Sequence, residues 1–144
     1  MTDSPSFSSS DRKSILLIDG HYRDRMYYAE HLKASCPEYA VFQSGNGQGG
    51  LDFCKSHSID CVVLDLDLPD MSGFEFLAKM VSLSNHPDMA VIILTRCDNQ
   101  SLLDLALKNG AQVSLRKSLT SGELLSKAIF SVVKGRVKSQ PVSA

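Results

Sequence analysis

Four short runs of this chain, most of them apolar and β-branched, each end in a side chain that can do chemistry. The four end residues, in chain order, are Asp19, Asp65, Thr95 and Lys117. Asp65 is the clearest case, because the run 61–64 stops abruptly at this carboxylate and Pro69 then forces a turn. A carboxylate can accept a phosphoryl group as an aspartyl phosphate. Such a transfer needs neutralising charge more than covalent help, and a divalent cation supplies that charge.

The runs that precede these residues predict strands of a buried sheet. Short β-branched apolar stretches are typical of parallel strands that are covered on both faces. In open α/β sheets, ligands bind just beyond the carboxyl ends of the strands. One parallel sheet would therefore bring two carboxylates, a hydroxyl and an ammonium group together along one edge.

Strand and helix patterns alternate along the whole domain. The patterns predict strands over 14–18, 39–43, 60–64, 90–94 and 112–116. They predict helices over 23–34, 48–55, 73–84, 99–109 and 120–134. Thr120 and Glu123 form a candidate capping box for the last helix. The fold class predicted is α/β, a doubly wound five-stranded parallel sheet of order 2-1-3-4-5 in three α/β/α layers.

Length, charge and cysteine usage narrow the possible functions. The chain has 144 residues, one domain's worth, and a net charge of −1, so no basic surface argues for nucleic acid. Its four cysteines lack Cys-x-x-Cys spacing, which favours reduced thiols in a cytoplasmic protein. No run approaches the roughly 18 apolar residues of a membrane span, and the N-terminus lacks signal-peptide features. We therefore expect neither a nucleic-acid nor a membrane partner for this domain.

Composition divides the chain into three parts. Residues 1–13 are polar and Ser-rich, which predicts a disordered arm. Residues 14–134 carry the alternating pattern and form the predicted domain. Residues 135–144 are basic and contain a proline, as expected of a flexible tail or linker.

The motifs together resemble the receiver domain of two-component response regulators, over roughly residues 14–134. The matching pieces are Ile15–Asp19, Asp65–Pro69 with Ser72-Gly73 after it, Val91–Thr95, and Gly110-Ala111 with Lys117. The resemblance implies a flavodoxin-like receiver fold and a regulatory role rather than an enzyme, with self-phosphorylation and self-dephosphorylation at most. It also implies a sensor histidine kinase or a phosphotransfer protein as the phosphoryl donor.

The same resemblance implies a role for each site residue. Asp65 is the phospho-acceptor, Thr95 donates its hydroxyl to the phosphoryl group, and Lys117 pairs with the phosphoryl oxygens. Mg²⁺ is implied as the cofactor, held by the carboxylates of Asp19 and Asp65 and the backbone carbonyl of Asp67. The segment 99–134 becomes the expected surface for an output domain, a partner or a homodimer. Within it, Leu102, Leu103, Ala106 and Leu107 are predicted to pack inward and Leu105 to face outward.

Several positions depart from the receiver pattern. Gly20 stands where a second acid normally follows Asp19, so weak Mg²⁺ binding is predicted, and compensation by His21, Asp24 or Asp67 is open. Ser114 occupies the place of an aromatic switch residue, and Ser118 that of a proline. Arg96 replaces a small residue, and we weigh equally a position inside the pocket and one in solvent.

Three further interpretations have some support in the residues. The departures suit a degenerate receiver that binds partners without phosphate. Asp65 and Asp67 also resemble the Asp-x-Asp opening of haloacid-dehalogenase-like phosphatases, but that family's downstream acidic pair is missing. The segment 45–50 contains a formal G-x-G-x-x-G, yet it follows the second strand rather than the first, so a flexible loop is the better interpretation.

Overall fold

Alternating strands and helices make up the fold, seen in a computed structural model that describes residues 12–83 and 88–134. The strands are β1 (Lys13–Ile18), β2 (Tyr39–Ser44), β3 (Cys61–Leu64), β4 (Ala90–Thr95) and β5 (Val113–Arg116). The helices are α1 (Tyr22–Ser35), α2 (Gly47–Ser56), α3 (Gly73–Leu83), α4 (Gln100–Lys108) and α5 (Gly122–Lys134), with a 3₁₀ turn at Lys117–Leu119. The predicted tail, and all but the end of the predicted N-terminal arm, lie outside the described residues.

The five strands form one parallel sheet in the order β2-β1-β3-β4-β5, which confirms the predicted fold class. Its register aligns the carboxyl ends of the central strands. Ile18 pairs with Leu64, and Leu64 pairs in turn with Ile93. The residues that follow β1 and β3 therefore start side by side at one edge of the sheet.

Two hydrophobic cores cover the two faces of the sheet, as the three-layer prediction requires. Alternate residues of each strand point to opposite faces, so Leu16 and Ile18 join one core while Ile15 and Leu17 join the other. The first core contains side chains of α2, α3 and α4, and the second contains side chains of α1 and α5. Both faces are therefore closed, and the edge at the carboxyl ends of the strands stays available for chemistry.

The start of α5 differs from its prediction. The helix begins at Gly122, and the hydroxyl of Ser121 accepts the Leu124 N–H at 3.1 Å. Thr120 does not form the predicted capping box, because its hydroxyl donates back to the Arg116 carbonyl at 2.7 Å. The 3₁₀ turn before the helix uses up the residues that would otherwise have extended it, and the cap moves one residue along the chain.

The predicted packing of α4 is partly wrong. Leu103 and Ala106 are buried as expected, and Leu105 is exposed. Leu102 and Leu107, however, are exposed as well, at 38% and 42%. A helix of nine residues presents a narrow stripe to the sheet, which positions i and i+3 fill, so the flanking leucines remain at the surface.

Two predictions about the chain's general character can be checked on the described residues. Cys36, Cys54 and Cys61 are buried and Cys97 is half-buried, and all four are thiols. Burial raises the pKa of the Cys54 thiol to about 11, which makes it unreactive. Within 12–83 and 88–134, no helix has the length and apolar character needed to cross a bilayer.

Candidate functional site

Asp65 lies at the centre of a polar pocket at the carboxyl edge of the sheet. Its side chain is 1% exposed, and its backbone N–H donates to the Ile18 carbonyl at 3.0 Å, which holds the residue against the end of β1. One carboxylate oxygen, Oδ1, accepts the Asp67 N–H at 3.1 Å. The buried Thr95 side chain is close enough to this carboxylate to help lower its pKa. The acceptor predicted from sequence is therefore buried and held from several directions.

Lys117 joins three carboxylates in this pocket. Its Nζ lies 2.8 Å from Asp19 Oδ2, 2.9 Å from Asp24 Oδ2 and 3.0 Å from Asp65 Oδ2. Lys117 follows β5 directly, and the sheet register brings that strand alongside β4 and its terminal Thr95. The four residues predicted from strand ends are thus brought together by one parallel sheet, as expected. The side chain of Asp67, in contrast, is exposed.

Arg96 takes a position that neither alternative described. Its Nε lies 3.0 Å from Asp24 Oδ2, although 61% of its side chain is exposed. It therefore closes the rim of the pocket through Asp24 and does not crowd Asp65. Asp24 receives charged hydrogen bonds from both Arg96 and Lys117. Burial raises the pKa of Asp24, but these bonds outweigh it and lower the pKa below its ordinary value.

His21 is a side chain of the pocket whose place the sequence left open. Its Nδ1 lies 3.2 Å from Asp19 Oδ1 and 3.2 Å from Asp65 Oδ2. Its backbone N–H donates to the same Asp19 oxygen at 2.8 Å. The imidazole thus sits between the two carboxylates. The sequence signal was its position directly after Gly20, where the chain leaves β1 for α1.

Pro69 crowds the space beside Gly20. A Cβ built on Gly20 would lie 2.7 Å from Pro69 Cδ, a separation that real Cβ atoms essentially never show. The proline ring of the β3–α3 loop therefore occupies the space into which an acid at position 20 would extend. The absence of an acid at position 20 therefore goes together with the packing of this loop against Gly20.

The electrostatics of the pocket follow from burial and from Lys117. Burial raises the pKa of Asp19, and its bonds to Lys117 and to the His21 N–H offset this only in part. Burial also raises the pKa of Asp65, but the charge of Lys117 and hydrogen bonds outweigh it, so this pKa is lowered and the carboxylate is ionised at neutral pH. Burial lowers the pKa of Lys117, but Asp19 and Asp24 reverse the effect and raise it. Lys117 is therefore a permanent cation.

The donor set fits a divalent cation. Asp19, His21 and Asp65 each offer one ligand atom, and these atoms lie within 4.8 Å of one another. Three carboxylates share the side chains of Lys117 and Arg96, while the Arg25 guanidinium is bound to the Asp19 backbone carbonyl at 2.6 Å, so the carboxylates outnumber the cations that contact them directly. Carboxylate oxygens are the ligands that Mg²⁺ takes in proteins, whereas an imidazole nitrogen is softer.

Gly73 positions the loop that follows Asp65. Its N–H donates to the Leu66 carbonyl at 2.8 Å. A Cβ at this position would lie 2.8 Å from Leu66 Cα and 2.9 Å from the Asp65 carbonyl oxygen. Glycine is therefore required for the backbone to approach so closely, and the Ser72-Gly73 pair noted in the sequence has a structural role.

At the glycine-rich start of α2, the backbone N–H donors that a nucleotide phosphate would need are already used. The N–H groups of Gly47 and Gln48 donate to the Asp70 carboxylate at 2.7 and 2.9 Å. Asn46 accepts the Gly49 N–H at 2.7 Å. A phosphate at this helix N-terminus would have to replace an internal carboxylate, which agrees with the rejection of the G-x-G-x-x-G motif as a dinucleotide site.

A doubly wound sheet that collects a buried aspartate, a second carboxylate, a threonine and a lysine at one edge is typical of the regulatory receiver domains of signalling proteins. The chain belongs to the response regulator receiver domain family, whose model matches residues 15–129. The family predicted from the motifs is thereby confirmed.

Two curated response regulators are similar to this chain. The nitrate/nitrite response regulator protein NarL of Escherichia coli is 29% identical over 132 residues, covering 90% of this chain and 59% of that protein. The cyclic di-GMP phosphodiesterase response regulator RpfG of Xanthomonas campestris is 26% identical, covering 77% of this chain and 29% of that protein. The chain thus spans about a third to three-fifths of the length of these curated relatives.

Solved structures show the same fold. A response regulator receiver domain protein from Clostridium thermocellum is 30% identical with a TM-score of 0.75, covering 86% of this chain and 96% of that one. A response regulator protein from Burkholderia pseudomallei, solved with a phosphorylated aspartic acid, calcium ion and citrate, is 25% identical with a TM-score of 0.73. This second likeness covers 85% of this chain and 69% of that one.

Proposed function

We propose that this domain accepts a phosphoryl group on Asp65 from a histidine kinase or a phosphotransfer protein and then changes its partner interactions. The observation that carries the proposal is the state of Asp65: buried, ionised, and 3.0 Å from a permanent cation, Lys117. An ionised carboxylate is the form that attacks phosphorus. The new bond joins a carboxylate oxygen to phosphorus. The P–N bond of a phosphohistidine breaks, and the imidazole nitrogen keeps its electron pair.

The surrounding side chains have separate roles in this transfer. Lys117 stabilises the charge on the phosphoryl oxygens, and the hydroxyl of the buried Thr95, beside the Asp65 carboxylate, donates to the adduct. Asp19, Asp65 and the backbone carbonyl of Asp67 would hold a divalent cation. When bound, that cation supplies the positive charge that phosphoryl transfer needs. The phosphorylated aspartic acid of the Burkholderia relative supports the same chemistry here.

The test is phosphorylation by a small donor. Incubation with phosphoramidate and Mg²⁺ or Mn²⁺ is expected to add one phosphoryl group by intact mass, labile as an acyl phosphate. Asp65→Asn removes the gain, while the matched variant Asp67→Asn keeps it, because the Asp67 side chain is exposed. A phosphatase of the haloacid-dehalogenase type would use Asp67 as its acid and base, so catalytic release of phosphate from a phosphomonoester by the wild-type chain but not by Asp67→Asn would indicate that function instead.

The second candidate is a phosphate-independent binding module. The contact of Pro69 with Gly20 favours it, because the space of the second acid is filled. If no mass gain is seen at high donor and metal concentrations, the chain does not accept a phosphoryl group, and the binding module becomes the proposed function.

We also propose α4, β5 and α5 as the surface for an output domain, a partner or a homodimer. Exposed leucines are spread over this face, at Leu102, Leu105, Leu107 and Leu124. Ser114 replaces the usual aromatic residue, and its hydroxyl donates to the Leu103 carbonyl of α4 at 3.0 Å. This bond ties β5 to α4, so a pull on Thr95 or Lys117 would move helix and strand together.

Amide exchange with and without a phosphoryl mimic on Asp65 tests this surface. We expect protection to change over 95–109, the loop after Thr95 and α4. Ser114→Ala, which cuts the bond to Leu103, is expected to shrink that change. Protection changes confined to 23–55 would contradict the proposed surface.

A further inference from the structure

The imidazole of His21 is placed where a metal ligand would be. Its Nδ1 is equally distant, at 3.2 Å, from an oxygen of Asp19 and an oxygen of Asp65. Two ligands about 2.1 Å from one ion lie about 3.0 Å apart at a right angle and about 3.4 Å apart at the tetrahedral angle. Both separations from Nδ1 fall within this range, and the three ligand atoms all lie within 4.8 Å of one another, so one ion can contact them after an adjustment of the side chains. The ion would lie beside Lys117 Nζ, which is 3.5 Å from the same nitrogen.

The backbone holds His21 in this position. Its N–H donates to Asp19 Oδ1 at 2.8 Å, and its carbonyl accepts the Arg25 N–H at 2.9 Å as α1 begins. The residue is therefore fixed at the junction between β1 and α1. An imidazole held in advance loses little freedom when it binds an ion.

The alternative oxygen ligand is excluded by packing. A side chain at Gly20 would meet Pro69 Cδ at 2.7 Å, so no carboxylate can enter from that position without moving the loop. The site therefore offers the carboxylates of Asp19 and Asp65, the backbone carbonyl of Asp67 and one imidazole. Imidazole favours first-row transition ions, and the affinity of mixed N/O sites rises from Mn²⁺ through Co²⁺ toward Cu²⁺, whereas Mg²⁺ prefers oxygen alone.

We propose that His21 is a direct metal ligand, and that the pocket therefore takes a transition-metal dication such as Co²⁺ or Zn²⁺ in preference to Mg²⁺. The inference rests on the proposed phosphoryl-acceptor pocket and names its ion. The excess of carboxylates over Lys117 and Arg96 provides the attraction for the dication. His21 provides the selectivity.

Titration calorimetry of the whole chain with Co²⁺ and with Mg²⁺, without any phosphodonor, tests the proposal. We expect Co²⁺ to bind at least about 30-fold more tightly than Mg²⁺. His21→Ala is expected to weaken Co²⁺ binding about 10- to 100-fold and Mg²⁺ binding less than about threefold. His21→Gln, which keeps bulk and hydrogen bonding without an imidazole, should behave like His21→Ala. Retained Mg²⁺ binding in both variants excludes a general loss of folding as the cause.

A spectroscopic reading of the ligand gives a second test. Pulsed EPR of the Mn²⁺-loaded protein is expected to show nitrogen coupling that disappears in His21→Ala. His57→Ala is the matched control, because that exposed histidine stacks on Phe53 at 3.9 Å, away from the pocket, and its loss should change nothing. Unchanged Co²⁺ affinity in His21→Ala, or equal losses for Co²⁺ and Mg²⁺, would overturn the proposal.

The result is independent of phosphoryl acceptance. If the phosphodonor adds no mass but the chain still binds Co²⁺ more tightly than Mg²⁺, the proposed function is wrong and the metal site stands. A normal mass gain with Mg²⁺, together with no effect of His21, would remove the metal site and leave the proposed function.

Discussion

Asp65 and Asp70 are acidic residues of the same loop, but their surroundings differ. Asp70 is exposed, and it accepts the N–H groups of Gly47 and Gln48 at the start of α2. Asp65 is buried and shares Lys117 with Asp19 and Asp24. The Asp70 carboxylate is satisfied by backbone N–H groups that the fold always supplies. The Asp65 carboxylate belongs to a cluster in which carboxylates outnumber the cations bound to them.

The comparison shows which acidic residues near a strand end are available for ligands. A carboxylate whose acceptor capacity is used by helix N–H groups stabilises the chain locally and offers little to an ion. A cluster with more carboxylates than cations is costly to bury and gains from every added positive charge. A cation site is therefore marked by an excess of negative charge rather than by the number of acidic residues.

The largest expected effect comes from removing the shared cation of the pocket. Lys117→Met leaves three carboxylates without their buried partner, so the free energy of unfolding should fall by about 3 kcal/mol. Phosphoryl acceptance should fall at least about 100-fold, because the charge on the phosphoryl oxygens is no longer stabilised. Chemical denaturation and intact mass measure the two effects.

The control for this variant is an exposed lysine with an acidic partner. Lys127 lies 3.7 Å from Glu123, and both side chains are more than two-thirds exposed. Lys127→Met should change the free energy of unfolding by less than about 0.5 kcal/mol. Added divalent metal should raise the free energy of unfolding of Lys117→Met by more than that of the wild-type chain. Equal responses to metal would show that the pocket carries no surplus charge.

A smaller effect is expected from restoring the missing acid. Gly20→Asp should not simply tighten Mg²⁺ binding, because its Cβ meets Pro69, and we expect a loss of about 1–3 kcal/mol in the free energy of unfolding. Pro69→Ala in the same chain should recover much of that loss and raise the Mg²⁺ affinity. A double-mutant cycle with calorimetric titration measures the coupling, and additive effects would contradict the contact.

The smallest effect concerns Asp70 and its dependence on pH. The N–H groups of Gln48 and Gly47 lower the pKa of Asp70. The stability that Asp70 contributes is therefore present above its unfolded pKa of about 3.9 and is lost as the pH falls through the lower folded pKa. Asp70→Asn should lower Tm slightly at pH 6, and the difference should shrink toward pH 3. Phosphoryl acceptance by this variant should match wild type, and a clear loss would link the two parts of the loop.

Much of the fold and site was predictable because both depend on local pattern. β-Branched runs predicted every strand to within a residue at each end, and their alternation with helices predicted the sheet order. Parallel strands end at one edge of a sheet, so Asp19, Asp65, Thr95 and Lys117 could be expected to meet. Their roles in phosphoryl transfer stay predictions until the acceptor is tested.

Other features depended on contacts between segments far apart in the chain. Whether His21 turned inward, whether Arg96 reached Asp24, and whether Pro69 filled the space beside Gly20 follow from side-chain packing across the pocket. No periodicity encodes such choices. The start of α5 likewise moved because the preceding turn competed for the same residues. The sequence alone therefore determined the elements, their order and the set of reactive groups. The tertiary structure decided which acids share a cation and which side chain lies between Asp19 and Asp65, because burial, distance and excluded volume arise only when distant segments pack together.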